Sequence, residues 1–225
     1  MINIVLLGPP GAGKGTQAAR LASHLLVPHI STGDILRRKI SSTADFGSTV
    51  ESAISRGALI PNETMTMLVR QRLAESDAAE GFVLDGYPRT LEQAQQLDVM
   101  FIDRPLTVVE IRTTDSEILY RLSQRRICNV CGRNSERHER VAMWCGCGGE
   151  FVSRPDDRLA VVRERLRTYE QFTAPVIEHY SRQRLLRTVP GDLSPDEVAE
   201  RIKDALELGE PPTHLFTVGG TRKAD

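Results

Sequence analysis

The chain has 225 residues, is 40% apolar and 26% charged, and carries a formal net charge of −1. That length can bury a core of its own as one domain with a small insertion. The near-neutral charge gives no case for a nucleic-acid partner, and no apolar stretch approaches the roughly 20 residues that span a bilayer. The N-terminus already reads as a strand and not as a leader, so a cytoplasmic, reducing setting without disulfides is expected.

In chain order, short apolar runs alternate with helix-period segments. Strands are expected at Ile4–Leu7, His29–Ser31, Phe82–Leu84, Thr107–Ile111 and Leu185–Val189, and helices starting near Gly15, Gly33, Glu63, Thr90, Ser116, Leu159 and Pro195. This alternation argues for an α/β fold, a parallel sheet covered on both faces. Ser194-Pro195-Asp196-Glu197 reads as a capping box with proline at the first helical position, and Thr114-Asp115-Ser116-Glu117 as a second box. Two stretches break the alternation. Residues 33–73 carry consecutive helical patterns without a strand, as a helical insertion would. Residues 127–153 are rich in Gly, Cys and Arg and read as a separate small lobe. The tail from Gly209, with Pro211-Pro212 and Gly219-Gly220, is expected to fray.

The first strand runs into Gly8-Pro9-Pro10-Gly11-Ala12-Gly13-Lys14-Gly15-Thr16, which then opens a helix. Such a loop turns backbone N–H groups toward a phosphate, and the helix adds the positive end of its dipole. Lys14 supplies a mobile charge for the outer phosphates. The pattern departs from G-x-x-x-x-G-K-[ST] at one place: Gly15 follows the lysine and the hydroxyl comes at Thr16. The bland reading is a chance glycine-rich turn, which the flanking strand and helix disfavour.

Phe82-Val83-Leu84-Asp85-Gly86-Tyr87-Pro88-Arg89 is a buried-type strand ending in an acid, then a turn, then an arginine. Ligands of open parallel sheets sit beyond the strands' carboxyl ends. Asp85 is therefore expected beside the phosphate loop, where a carboxylate can hold magnesium or its waters. Arg89 can fork onto a phosphate. Ser31-Thr32-Gly33-Asp34 with Arg37 follows the second strand, although that tetrapeptide is also a plain helix cap. Arg121 and Arg125 share a helix face, Arg154 precedes Pro155-Asp156-Asp157, and Arg165 lies in a charged helix. Any one of these arginines alone reads first as part of a solvated face.

Taken together and in this order, Gly8–Thr16, Ser31–Arg37, Asp85–Thr90 and Arg154–Arg165 resemble the adenylate kinases of the long-lid bacterial type, over about residues 2 to 206. The resemblance implies a P-loop nucleoside monophosphate kinase fold, with a parallel five-stranded sheet flanked by helices. It implies a core of residues 1–30, 61–122 and 161–208, a helical NMP-binding insertion at 31–60, a lid at 123–160 and a flexible tail at 209–225. The implied reaction is reversible phosphoryl transfer from ATP to AMP giving two ADP, with Mg²⁺ held largely through waters at Asp85, by a monomer. Gly11, Ala12, Gly13, Lys14, Gly15 and Thr16, with Arg121 and Arg125, match ATP contacts. Thr32, Arg37, Leu59, Ile60, Gly86, Arg89, Gln93, Arg154 and Arg165 match AMP contacts. Lys14, Arg89, Arg125, Arg154 and Arg165 match the catalytic cations. The same resemblance makes Gly15 a family feature.

All four cysteines fall in one glycine-rich stretch, as Cys128-x₂-Cys131 and Cys145-x-Cys147. Four thiolates there can form a closed structural Zn²⁺ site, whose binding energy would fold a lobe with little apolar surface. Similar lids have C-x₂-C in both halves, so the C-x-C half leaves His138 open as a substitute ligand. A disulfide and a metal-free lid are the other readings. Rivals for function are a UMP or CMP kinase, a donor site preferring GTP, and a non-catalytic nucleotide sensor.

Overall fold

The structure is a computed structural model that describes residues 2–42, 52, 56, 58–135 and 142–207. The tail from Gly209, His138 and part of the 31–60 insertion lie outside the described residues.

Five strands form one parallel sheet: β1 (Ile2–Leu7), β2 (His29–Ser31), β3 (Gly81–Asp85), β4 (Thr107–Arg112) and β7 (Leu186–Pro190), in the order β2-β3-β1-β4-β7. All five expected strands form, each within two residues of its expected bounds. β5 (Ile127–Cys128) and β6 (Phe151–Val152) make a separate antiparallel pair within the cysteine lobe.

The period-2 alternation of β1 divides the core. Val5 and Leu7 face one side with Phe82, Leu84 and Val108. Ile4 and Leu6 face the other with Val83, Val109 and Ile111. Helices cover both faces, which is why these strands read as unbroken apolar runs. On the second face lie α1 (Lys14–Leu25), through Ala18, Leu21 and Ala22, and α8 (Pro195–Glu207), through Val198 and Ile202. On the first lie α3 (Asn62–Leu73), α4 (Leu91–Met100) and α7 (Ala174–Arg182), through Leu68, Val69, Ala94, Leu97, Val176 and Tyr180. α2 (Thr32–Ser42), α5 (Asp115–Gln124) and α6 (Leu159–Thr168) rim the carboxyl end of the sheet.

Ser194 and Glu197 form the expected capping box reciprocally: the N–H of Ser194 donates to Glu197 Oε2 at 2.9 Å and the N–H of Glu197 to Ser194 Oγ at 3.3 Å. The second box does not form. Glu117 instead accepts from Arg121 Nε at 2.7 Å, and the N–H of Thr114 is drawn to Asp192 Oδ1 at 3.1 Å. Stronger charged partners outcompete the local cap. α6 does not end cleanly. It passes through a π-helical turn, Tyr169–Thr173, into α7, a distortion that often marks a functional site.

Candidate active site

The carboxyl end of β1 delivers the glycine-rich loop. Ala12 donates its N–H to Pro9 O at 3.2 Å, closing the turn, and Gly13 is the left-handed residue from which α1 begins. No side chain caps α1. The N–H groups of its first turn are therefore open to an anion at the dipole's positive end. Lys14 folds back over this loop, its Nζ donating to Gly8 O and Pro9 O at 2.8 Å each.

Asp85 ends β3 next to β1, with its Oδ2 3.4 Å from where a Cβ on Gly15 would lie, an ordinary contact distance that sets the carboxylate against the start of α1. The Asp85 carboxylate there suits a hard cation held through its waters. His29 shares this face by register, its Nε2 buried without a hydrogen-bond partner and 4.0 Å from Asp85 Oδ2.

A second cluster sits on the α2 and α4 side. Thr32 is buried and donates from Oγ1 to Asp85 O at 3.2 Å. Gly86 has φ +86, and a Cβ there would meet Thr32 Oγ1 at 2.4 Å and Arg89 Nη2 at 3.3 Å. Only glycine lets the two polar groups converge. Arg89 donates from Nε to Gly86 O at 2.8 Å, and its own N–H is held by Gln93 Oε1 at 2.8 Å. Asn62 Oδ1 then takes Gln93 Nε2 at 2.9 Å, and Thr173, in the π turn, donates from Oγ1 to Arg89 O at 2.9 Å. Arg37 pairs with Asp34 at the mouth. Leu59 lines the cleft together with Lys14, Gly86, Arg89, Arg165 and Tyr169. Ile60 is buried in the core behind it.

The end of α5, α6 and the segment between them bring further arginines. Arg125 grips Asp157 with Nε, at 2.7 Å, and Nη2. Arg165 donates from Nη1 to Asp156 O at 3.1 Å and Asp156 Oδ2 at 2.9 Å. Arg154 leaves a buried Nε with no partner. Burial lowers the Arg154 pKa to about 10, with Arg125 and Arg37 adding to it. Burial likewise lowers Arg89 and Arg165 from the ordinary arginine value. Lys14 is pulled down to about 8, chiefly by burial; Asp85 resists, and Arg89, Arg165 and Arg125 add to the fall. Arg121 is placed differently from the others. Its donors go to Glu117, to Gly191 O at 2.7 Å, to Leu193 O at 3.2 Å and to Ala12 O at 3.4 Å. It ties the glycine-rich loop to the segment before α8.

Between α5 and α6, the four cysteine Sγ atoms lie within 4.8 Å of one another. Cys128 and Cys147 are 3.4 Å apart and Cys131 and Cys145 3.7 Å. Four thiolates about 2.3 Å from one Zn²⁺ would stand roughly 3.8 Å apart in a tetrahedron. The set therefore fits zinc without His138. The shorter C-x-C half closes because Cys145 makes a tight turn, with Gly148 N donating to its O at 2.8 Å and its own N–H to Gly149 O at 2.7 Å. A Cβ on Gly149 would lie 2.4 Å from Cys128 Sγ, so glycine is needed there. The N–H of Cys131, helped by that of Val130, brings the Cys128 thiol down to about 6. The N–H of Cys147, with Arg133, lowers Cys145. Cys131 goes up to about 11, because the neighbouring thiols, Cys128 first, outweigh the N–H of Arg133. Thiolate character at two positions suits metal binding.

Sequence reasoning passed over Asp156, Asp157, Asn62, Thr173 and His29. Only the acidic pair after Arg154 carried a local signal.

The comparisons with known proteins agree with this geometry. A family model described as adenylate kinase matches residues 6–185. An adenylate kinase from Caldanaerobacter subterraneus subsp. tengcongensis is 41% identical over 216 residues, covering 93% of this chain and 97% of its own. One from Thermosipho melanesiensis is 42% identical, with coverages of 92% and 99%. One from Methanosarcina barkeri is 40% identical, also with coverages of 92% and 99%. A parallel five-stranded sheet, a glycine-rich loop opening a helix without a side-chain cap, and this likeness over nearly the whole chain place the protein in the adenylate kinase family.

Proposed function

We propose that the protein transfers the terminal phosphoryl group of ATP reversibly to AMP, giving two ADP. The observation that carries this reading is the cation cluster. Burial does most to lower the Lys14 pKa, Arg89, Arg165 and Arg125 lie close enough to lower it further, and Arg154 keeps a buried donor unpartnered. Such mutual repulsion is relieved by a polyanion. The cluster is flanked by two separate polar subsites, the loop at α1 and the Thr32–Gly86–Arg89 corner.

In this reading the loop residues Gly11 to Thr16 seat the ATP phosphates on backbone N–H groups, with Arg121 holding the loop in shape. Thr32, Arg37, Gly86, Arg89 and Gln93 shape the AMP site, with Leu59 and Ile60 on the adenine side. Lys14, Arg125, Arg154 and Arg165 follow charge across the transferring oxygens, and the protein supplies no covalent nucleophile. Arginines from lid and core together exclude water, so that phosphate passes to AMP and not to solvent. Mg²⁺ held through waters near Asp85 and Thr16 would neutralise phosphate charge. Zn²⁺ on Cys128, Cys131, Cys145 and Cys147 would order the lid without entering the chemistry, since four thiolates leave no open position.

The enzyme is read as a cytoplasmic monomer acting on ATP, AMP and ADP. Four free cysteines and near-neutral charge support that setting. Among the described residues no helix is long and apolar enough to cross a membrane. A coupled assay of ADP formation with AMP, UMP, CMP and GMP as acceptors tests the function. AMP should be used far better than the others. Two adenosines joined by five phosphates should bind much tighter than ATP and compete with AMP. Equal use of UMP or CMP, or a mimic no tighter than ATP, would overturn the reading.

A further inference from the structure

Four thiolates around one Zn²⁺ leave about two negative charges in excess on the cluster. Arg133 lies beside the cysteines that would carry them. Its Nη2 donates to Cys145 Sγ at 3.5 Å. Its Cζ stands 5.4 Å from the centroid of the Phe151 ring, and Phe151 is buried with Cys128 and Cys145 at the centre of the lobe. The main chain of the same residue meets the other cysteine pair. Its N–H bonds the Cys131 sulfur, and its carbonyl accepts the N–H of Cys128 at 2.9 Å. One residue thus touches Cys128, Cys131 and Cys145, and so spans both halves of the lobe.

We infer that Arg133 tightens the zinc site by holding a positive charge against its sulfurs, acting through Cys145 and not as a ligand. This inference rests on the zinc reading above. The backbone N–H groups that serve Cys128, from Val130 and Cys131 at 3.4 Å each, are dipoles without net charge. A guanidinium carries a full charge and keeps its proton. The Phe151 ring fixes where that charge sits, because a cation over an aromatic face is attracted by the ring's quadrupole. Little side-chain freedom is then lost when the sulfurs become thiolates on a metal. Groups that bond metal ligands from behind commonly change metal affinity by about 10–100-fold. Arg133 is exposed, so water and salt screen it, and the lower end of that range applies.

The consequence is a loss that follows charge and not packing. Arg133→Met keeps an unbranched apolar stem and removes the charge. At low salt it should bind zinc about tenfold more weakly and release it about tenfold faster. Arg133→Lys keeps the charge and should stay within about threefold of wild type. The gap between wild type and Arg133→Met should shrink to about twofold near 1 M salt, where the screening length falls to about 3 Å. Arg133→Met should also lower the melting temperature of zinc-loaded protein more than that of chelator-stripped protein. Full negative charge develops on the sulfurs only when all four are thiolates on the metal.

The measurements are zinc transfer to a chromophoric chelator at low and high salt, and calorimetric melting of loaded and stripped protein, all on the full chain. Wild-type zinc affinity and release in Arg133→Met would overturn the inference. So would an equal loss in Arg133→Lys, a loss that salt leaves unchanged, or a melting shift as large in stripped as in loaded protein, since each is what a packing role gives. Wild-type protein that takes up no zinc would instead sink the zinc reading itself.

Discussion

Gly86→Ala is the substitution whose cost follows most directly from the coordinates. Gly86 has φ +86, and an added methyl would come within 2.4 Å of Thr32 Oγ1 and 3.3 Å of Arg89 Nη2. Holding alanine in that left-handed conformation costs about 1–2 kcal/mol. Thr32 is only 1% exposed and cannot swing outward. It must give up its bond to Asp85 O, adding about 1–2 kcal/mol for a buried hydroxyl left poorly satisfied. The sum, about 2–4 kcal/mol, corresponds to a melting temperature lowered by roughly 5–15 °C in a chain of this size. Arg89 would be displaced too, so KM for AMP should rise by about tenfold or more while ATP affinity changes little. Differential scanning calorimetry and AMP-dependent rates on one preparation measure both. Gly146→Ala is the control, because nothing lies within 4 Å of a Cβ there and its φ is not positive. If Gly86→Ala melts as wild type does and keeps its AMP dependence, the argued convergence of Thr32, Gly86 and Arg89 is wrong.

Lys14 has a pKa lowered to about 8 from 10.5, so in the free protein it loses its proton as pH rises through about 8. A polyphosphate binds the protonated form and should draw a proton onto it. ATP affinity measured by fluorescence should therefore weaken above about pH 8 and flatten in Lys14→Met; a pH-independent affinity would count against the assignment. Because the folded pKa lies below the unfolded one, this lysine's contribution to stability rises with pH between those two values. Arg89→Ala should damage the AMP dependence of rate far more than ATP affinity, and the opposite pattern would mean that the two subsites are reversed. Freshly purified protein should hold about one zinc per chain by elemental analysis, and Cys128→Ser and Cys147→Ser should melt earlier while the phosphate loop still binds ATP. Metal content near zero with unchanged melting would leave the metal-free lid as the better account.

The readable part of this molecule was the part governed by short-range rules. Five buried parallel strands appear as apolar runs because both faces are covered. The strand-end rule then puts the Gly8–Thr16 loop, Asp85 and Arg89 along one edge, where the structure has them. What escaped depends on partners far along the chain. The box at Thr114–Glu117 satisfies every local criterion, yet Arg121 and Asp192 take its groups, the latter from 78 residues away. The π turn at Tyr169–Thr173 has no pattern of its own, although Pro175, in the first turn of α7, was a usable sign of a helix start.

The cysteine lobe and the acid pair show the same limit from two sides. Spacing alone made Cys145-x-Cys147 look irregular, but spacing measures distance along the chain while a metal senses only the thiolate positions. Two tight turns and the bare Cα of Gly149 bring those positions to tetrahedral separations. With Asp157 the sequence was regular and its meaning hidden. A run of Arg154-Pro155-Asp156-Asp157 suggests a charged surface turn, and nothing local says that Asp157 grips an arginine 32 residues earlier. An acid 4% exposed between Arg125 and Arg165 is legible only once those long-range partners are known, so the placement of these cations has to be read together with the anions that pair with them.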